Sequence, residues 1–363
     1  MLTSTKSRRA SHEPLRVALI GYGLGGQAFH APFVATTPGM KLATIVTANP
    51  ERRAQARKDF PDAAIVDSPQ EIWSRALDHE LVVIVTSNRS HVPLALAAID
   101  VGIPVVIDKP LAANIADAKA LVARAEQAGV PLSVYHERRW DGEFLTARRL
   151  IEDGALGEVL RFESRLDRWR PQPRAGAWRE LADPTEAGGL LFDLGSHLID
   201  QALLLFGRVT HVYAELECRR AGSAVPDDVF IALRHAQGTL SHLWASAVAA
   251  QAGPRLRVMG SRAAYVKNFI DVQEQALRSG ILPNAPGFGE DPEAQWGRLG
   301  SNDDSRPIKT ELGDYKHFYS SAVSWLRNGG PPPVDPNDAI AGLEIIAAAQ
   351  RSAAEQRVIA VVE

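Results

Sequence analysis

A single cysteine, Cys218, stands in 363 residues. That excludes an intramolecular disulfide framework and any multi-cysteine zinc or iron–sulfur site, and nothing around Cys218 marks it as a reactive thiol. Neither charge sign is in excess: 40 Lys and Arg face 43 Asp and Glu, a net charge of −3. This removes the global electrostatic reason to expect nucleic acid or an anionic membrane as a partner. No uninterrupted apolar run approaches the roughly 20 residues of a membrane helix. Arg8-Arg9 resembles a twin-arginine export signal, but such a signal needs a removable apolar segment behind it. The first apolar stretch here, Leu15 to Ile20, runs straight into a glycine loop and is needed for the fold. Residues 1–13 therefore read as a disordered tail, and the protein as cytoplasmic. No internal repeat is found.

What is present is an ordinary globular composition, 45% hydrophobic and 23% charged. Its length suits about two domains of roughly 150 residues. Short apolar runs at Leu15–Ile20, Lys41–Thr47, Leu81–Thr86, Val105–Ile107 and Leu132–Tyr135 read as buried strands. Helical stretches at Pro93–Val101 and Asn114–Ala128 lie between them, the latter closed by Gly129. Strands alternating with helices imply βαβ units and a parallel sheet, so residues 14–135 are expected to form a doubly wound, nucleotide-binding α/β domain. After Tyr135 strand-like runs follow one another at 159–166, 209–217, 229–234, 239–245 and 256–259, which predicts a largely antiparallel sheet in an α+β domain over 136–363. One apolar helix, Gly189 to Phe206, interrupts them, and Pro336 to Ser352 forms the last helix. Residues 279–314, rich in Gly, Pro, Asn and Asp, read as a long surface excursion.

Gly21-Tyr22-Gly23-Leu24-Gly25-Gly26 fits G-x-G-x-x-G, after a strand and at the start of a helix. The first glycine permits the tight turn and the second lets backbone approach a pyrophosphate. The third lets the helix pack close to the strand, aiming its N-terminal N–H groups at the phosphates. The end of the second strand, Thr47-Ala48-Asn49, lacks the carboxylate that would bond the ribose of NAD, whereas Arg52 and Arg53 follow closely enough to meet a 2′-phosphate. NADP is the expected cofactor, with NAD left open because Glu51 could serve the ribose.

The fifth strand ends in Asp108-Lys109-Pro110, at the carboxyl edge where ligands of doubly wound sheets bind. Further on, Asp193, His197 and Asp200 fall at i, i+4 and i+7 of an otherwise apolar helix, a polar stripe that must be satisfied internally or face a ligand cavity. Dinucleotide, strand-edge lysine and Asp–His helix together suit a dehydrogenase of secondary alcohols. His197 would move the hydroxyl proton, Asp193 would bind substrate or orient the imidazolium, and Lys109 would stabilise alkoxide charge. No metal is needed.

These motifs resemble the glucose–fructose oxidoreductase / inositol dehydrogenase / MocA family. It carries the glycine loop, an E-K-P motif after the fifth strand and a G-G-x-x-x-D-x-G-x-H helix. Asp108 here replaces the family's usual glutamate. The resemblance implies a Rossmann domain followed by a domain with a large open sheet used for dimers or tetramers, and Lys109, Asp193 and His197 as catalytic trio. It also implies Ser87, Asn88, His91 and Asp108 as cofactor contacts beside Tyr22, Leu24, Thr47, Asn49 and Arg52. Phe29-His30-Ala31-Pro32, His136-Glu137-Arg138-Arg139-Trp140-Asp141 and Asp167-Arg168-Trp169-Arg170-Pro171 are similar to the subgroup containing NADP-dependent scyllo-inositol dehydrogenase. That implies interconversion of a cyclic polyol or sugar and its ketone. Arg165, Asp167 and Trp178, in a segment rich in arginine and tryptophan, are the expected substrate contacts of a lid. Two alternatives stay open under the same resemblance: an NAD-dependent glycosidase, and a non-catalytic NADP-binding regulator.

Overall fold

The computed structural model describes residues 13–174 and 176–361; the tail expected over residues 1–13 lies, but for Glu13, outside the described residues. The first half is built on strands β1 (Leu15–Ile20), β2 (Met40–Val46), β3 (Ala64–Val66), β4 (Leu81–Ile84), β5 (Val105–Asp108) and β6 (Leu132–Tyr135). They pair in parallel in the order β3-β2-β1-β4-β5-β6. Every residue of β4 is fully buried, as expected of a strand covered on both faces. The covering helices are α1 (Ala31–Thr36), α2 (Pro50–Asp59), α3 (Gln70–Trp73), α4 (His91–Asp100) and α5 (Ile115–Ala128). Helix α5 shows how local chemistry sets the boundaries. The Asn114 side chain accepts a 2.9 Å bond from the Asp117 N–H at its start, and Gly129 takes the left-handed conformation at its end.

The second half adds α6 (Gly142–Glu152), β7 (Val159–Asp167), α7 (Ser196–Phe206), β8 (Val209–Glu217), β9 (Asp228–His235), β10 (Leu240–Ser246), β11 (Leu256–Gly260) and β12 (Ala264–Lys267). Then come α8 (Gln273–Arg278), β13 (Gly297–Gly300), β14 (Ser305–Ile308), α9 (Lys316–Asn328), α10 (Pro336–Glu355) and β15 (Ile359–Ala360). The strands form one sheet in the order β14-β13-β12-β11-β7-β10-β9-β8-β15. Its pairs are antiparallel except β7 with β10. The fold is thus a parallel Rossmann sheet plus a large, mainly antiparallel one.

Two expectations need correction. The excursion over 279–314 is not all loop, because β13 and β14 extend the sheet beyond β12. These strands are four residues each, too short for a period to show, and Gly297 is required where a Cβ would lie 2.4 Å from the Tyr265 ring. The helix read from Gly189 is not uniform either: Leu191–Gly195 forms a wider π-helical turn before α7 begins. The helical stretch Pro184–Phe206 is long and apolar enough to cross a membrane by composition, yet it is mostly buried within the protein, as a core helix is.

The halves are tied through late elements. Helix α10 packs on α5 and β6 of the first sheet as well as on α7 and β8. Ser133 of β6 donates a 2.8 Å hydrogen bond to the Val334 carbonyl, and His30 Nδ1 lies 2.6 Å from the Tyr319 hydroxyl of α9.

Candidate active site

β1 and β4 are neighbours whose connections leave to opposite sides, so a crevice opens beyond their carboxyl ends. A cleft of about 1670 Å³ begins there and runs between the two halves. Its floor is the glycine loop. Gly21 has φ +106°, and a Cβ there would sit 2.2 Å from the Val85 carbonyl oxygen; one on Gly26 would sit 2.1 Å from the Gly21 oxygen. Both positions exclude a side chain, so backbone alone forms this part of the cleft. A Cβ on Gly23 would meet only the Arg52 guanidinium, at 3.7 Å. Arg52 thus lies beside the loop, in the first turn of α2, where its N–H donates to the capping Asn49 side chain at 2.9 Å.

At the other end, Lys109 directly follows β5 and is joined to Pro110 by a cis peptide bond. Its Nζ donates to Asp193 Oδ1 at 3.0 Å and also to the Asp193 carbonyl oxygen. Arg179 donates to the same carboxylate at 3.2 Å. Burial pushes the Asp193 carboxyl up, but Lys109 and Arg179 outweigh it and hold the group well below the usual carboxylate range. His197 lies on the cleft wall one α-turn onward, 3% exposed. Burial, with Lys109 and Arg138 nearby, keeps its imidazole well below the ordinary histidine range and hence neutral. Asp108 accepts from the Lys109 N–H at 3.0 Å and lies 3.7 Å from His30 Nε2. Burial pushes its carboxyl up, but His30 and Lys109 draw it below its ordinary value overall. An ionised carboxylate, a held lysine and a neutral histidine therefore stand together on one wall.

Residues 15–136 match the oxidoreductase family, NAD-binding Rossmann fold, and residues 148–361 match the oxidoreductase family, C-terminal alpha/beta domain. The chain belongs to the Gfo/Idh/MocA oxidoreductase family. It is 34% identical over 363 residues to the scyllo-inositol 2-dehydrogenase (NADP(+)) IolW of Bacillus subtilis, covering 99% of both chains. It is 27% identical to the D-apiose dehydrogenase of Paraburkholderia graminis, covering 94% of this chain and 88% of the relative. The oxidoreductase structure yvaA from Bacillus subtilis superposes with a TM-score of 0.91 at 33% identity, over 98% of this chain and all of that one.

Within this family fold the residues singled out from sequence fall into two groups. Gly21, Tyr22, Gly23, Leu24, Gly25, Thr47, Asn49, Arg52, Ser87, Asp108, Lys109, Trp178, Asp193 and His197 line the cleft. The others do not line it, though Asn88 borders a small cavity beside Lys109, Trp178 and Asp193. Asn88 donates to the Glu186 carbonyl at 2.7 Å, and His91 is buried with Nδ1 2.9 Å from the Pro110 carbonyl, so it braces the Lys109 turn from behind. Gly26 packs under the loop. Arg53 turns to Asp67, 3.5 Å away, leaving Arg52 alone beside the loop.

Arg165 and Asp167 do not reach the cleft. Arg165 lies over the Trp244 ring at 3.7 Å and pairs with Glu163 at 3.3 Å, while Asp167 accepts from the Gly253 N–H at 3.4 Å. Side chains alternate along β7, and the arginines of this segment that line the cleft, Arg168, Arg170, Arg174 and Arg179, come past its end. Asp200 leaves the expected polar stripe to pair with Arg139 at 2.6 Å. Glu137 and Arg138, at the end of β6, line the cleft and were singled out only as part of a motif. The rule that placed Lys109, a polar residue just past a buried parallel strand, would have found Glu137.

Proposed function

We propose that the protein is an NADP-dependent dehydrogenase interconverting a secondary alcohol of a cyclic polyol or sugar with its ketone, with His197 as acid and base. The observation that carries this reading is the meeting of Lys109, from the parallel sheet, with Asp193, from the helix that bears His197, on the wall of the glycine-loop cleft. The loop and Arg52 fit a dinucleotide with a 2′-phosphate, since the guanidinium lies beside the loop and the nearest strand-end carboxylate, Asp67, is engaged by Arg53. When bound, the nicotinamide supplies the hydride donor or acceptor.

The protein's own groups handle the rest. His197, kept neutral, can take the hydroxyl proton as the carbon loses hydride, and Lys109 can donate to the oxygen as negative charge grows on it. Asp193 fixes the Lys109 ammonium by two bonds. Trp178, stacked by Arg179 at 4.2 Å, and Arg168 offer a ring face and donors to a polyhydroxylated substrate. We read the open face of the second sheet, where the Phe230 and Trp244 rings meet tilted with centroids 5.1 Å apart, as the contact between copies in a homodimer or homotetramer, and the compartment as cytoplasmic.

The test is reduction of NADP+ and NAD+ over a panel of inositols, aldoses and sugar acids, in the wild type and in His197→Ala. NADP+ reduction by a few related polyols, with the variant slowed by on the order of 100-fold at unchanged NADPH affinity, is expected. A near-wild-type rate in the variant removes His197 from the chemistry. Silence with every alcohol despite cofactor binding removes the dehydrogenase.

A further inference from the structure

The reading above leaves Glu137 without a task. Glu137 follows β6 in a short helical turn, Glu137–Trp140, and is 7% exposed on the cleft wall. Its Oε2 is buried with no hydrogen-bond partner among the described residues, and its Oε1 lies 3.7 Å from His197 Nε2. His197 Nδ1 is equally buried and equally unpartnered. A carboxylate so placed is costly unless it keeps its proton or gains a cation. The group facing it is an imidazole, which can provide either.

We propose that Glu137 and His197 titrate as one pair, the Glu137 carboxylate 3.7 Å away balancing the charge that His197 gains, and that this pair, not His197 alone, gives the proton to the reacting oxygen and takes it back. The proposal rests on the reading of His197 as acid and base. In ketone reduction the hydride pair arrives at the carbonyl carbon from the reduced nicotinamide, the C=O π pair moves to oxygen, and that oxygen takes the proton from His197 Nε2. The pair is left with no proton, as ionised Glu137 beside neutral His197. In alcohol oxidation the O–H proton passes to Nε2 as the C–H pair leaves for the oxidised nicotinamide, and the imidazolium so formed faces the Glu137 carboxylate.

The surroundings favour this division. Lys109 at the end of β5, Arg138 next in the chain, Arg168 past β7 and His136 at the end of β6 all oppose a charge on His197. Asp108, Tyr135 and Tyr315 face Glu137 from β5, β6 and the segment before α9, and Arg138 and Lys109 draw its carboxyl down without offsetting its burial. Among so many cations His197 gains a proton only when Glu137 balances it. Burial pushes the Glu137 carboxyl up to about 8, so the pair carries its proton at neutral pH and loses it at higher pH. Glu137 acts through His197 and is a positioning residue.

The experiment compares wild type, Glu137→Gln, Glu137→Asp and His197→Ala, all as full chains. One arm follows the His197 ring nitrogens by NMR from pH 4 to 10 without substrate, assigned by the signal missing in His197→Ala. The other follows kcat/KM against pH for NADP+ with scyllo-inositol. In the wild type the ring signals and the rise of oxidation rate share one midpoint; in Glu137→Gln both move to acid by about one pH unit or more, and Glu137→Asp lies between. Superimposable His197 titrations in wild type and Glu137→Gln overturn the proposal, as does a uniform rate loss without a shift. Glu137→Asp, which keeps the carboxyl group, decides the matter if the glutamine variant does not fold. If scyllo-inositol is not oxidised, the proposed substrate fails and the NMR arm still decides the paired titration. If His197→Ala stays active, the acid–base reading fails and takes this one with it.

Discussion

Arg139 grips Asp200 through two hydrogen bonds, 2.8 Å from Nε and 2.6 Å from Nη2, and the same guanidinium reaches Asp338 of α10 at 2.9 Å. One side chain from the turn after the parallel sheet thereby joins the helix that carries His197 to the last long helix. It removes Asp200 from the cleft and makes it a strut.

Arg139→Ala should therefore act on stability before chemistry. It leaves the Asp200 carboxylate 4% exposed without its guanidinium, a loss of about 3–5 kcal/mol for a broken buried pair. The urea midpoint should fall sharply, and adding Asp200→Asn should recover part of the loss, because the unpaired charge is then gone. Additive losses in the double variant would show that the two side chains do not act as a pair.

Asp193 makes a prediction with a definite sign in pH. Its carboxyl is held below the ordinary value by Lys109 and Arg179 against the opposing effect of burial. Its contribution is thus full above the unfolded carboxylate pKa of about 4 and is lost as pH falls through the folded value. Asp193→Asn should cost about 2 kcal/mol at pH 7, and its urea midpoint should converge on that of the wild type as the pH drops below about 4. A gap of the same size at pH 7 and pH 3 would separate the stability of this region from the Lys109–Asp193 pair.

Cofactor choice rests on a single arginine. Arg52→Ala should weaken NADP+ binding by roughly 10- to 100-fold, the worth of charge-assisted bonds to one phosphate. NAD+ binding should change by no more than about 2-fold, a few tenths of a kcal/mol. Arg53→Ala, which only frees Asp67, should be much milder toward NADP+. Calorimetric titration of each variant with both dinucleotides decides it; equal losses for the two would remove the 2′-phosphate argument.

The parallel sheet and the wall of Lys109, Asp193 and His197 were legible because each is written locally. A fully buried strand is a run of Val, Ile and Leu, and a glycine that no Cβ can replace leaves a spaced pattern. What stayed hidden depends on partners distant in sequence. Nothing near Arg165 says that Trp244, in β10, will occupy its guanidinium, and nothing near Asp200 announces Arg139. The π-helical turn at Leu191–Gly195 was hidden because its residues fit an α-helical spacing equally well. The strands β3, β13, β14 and β15, two to four residues each, fall below any detectable period. Glu137 lay in plain view at a strand end, but inside a run of charged residues that read as one motif.

The return of α10 to α5 and β6 has a consequence for synthesis. The ribosome releases the glycine loop and all six parallel strands before residue 140, yet the flank of that sheet at β6 stays uncovered until α10, Pro336–Glu355, has emerged. The Rossmann half is made first and finished last, so a chain stalled anywhere between residues 140 and 330 leaves that flank of the sheet uncovered.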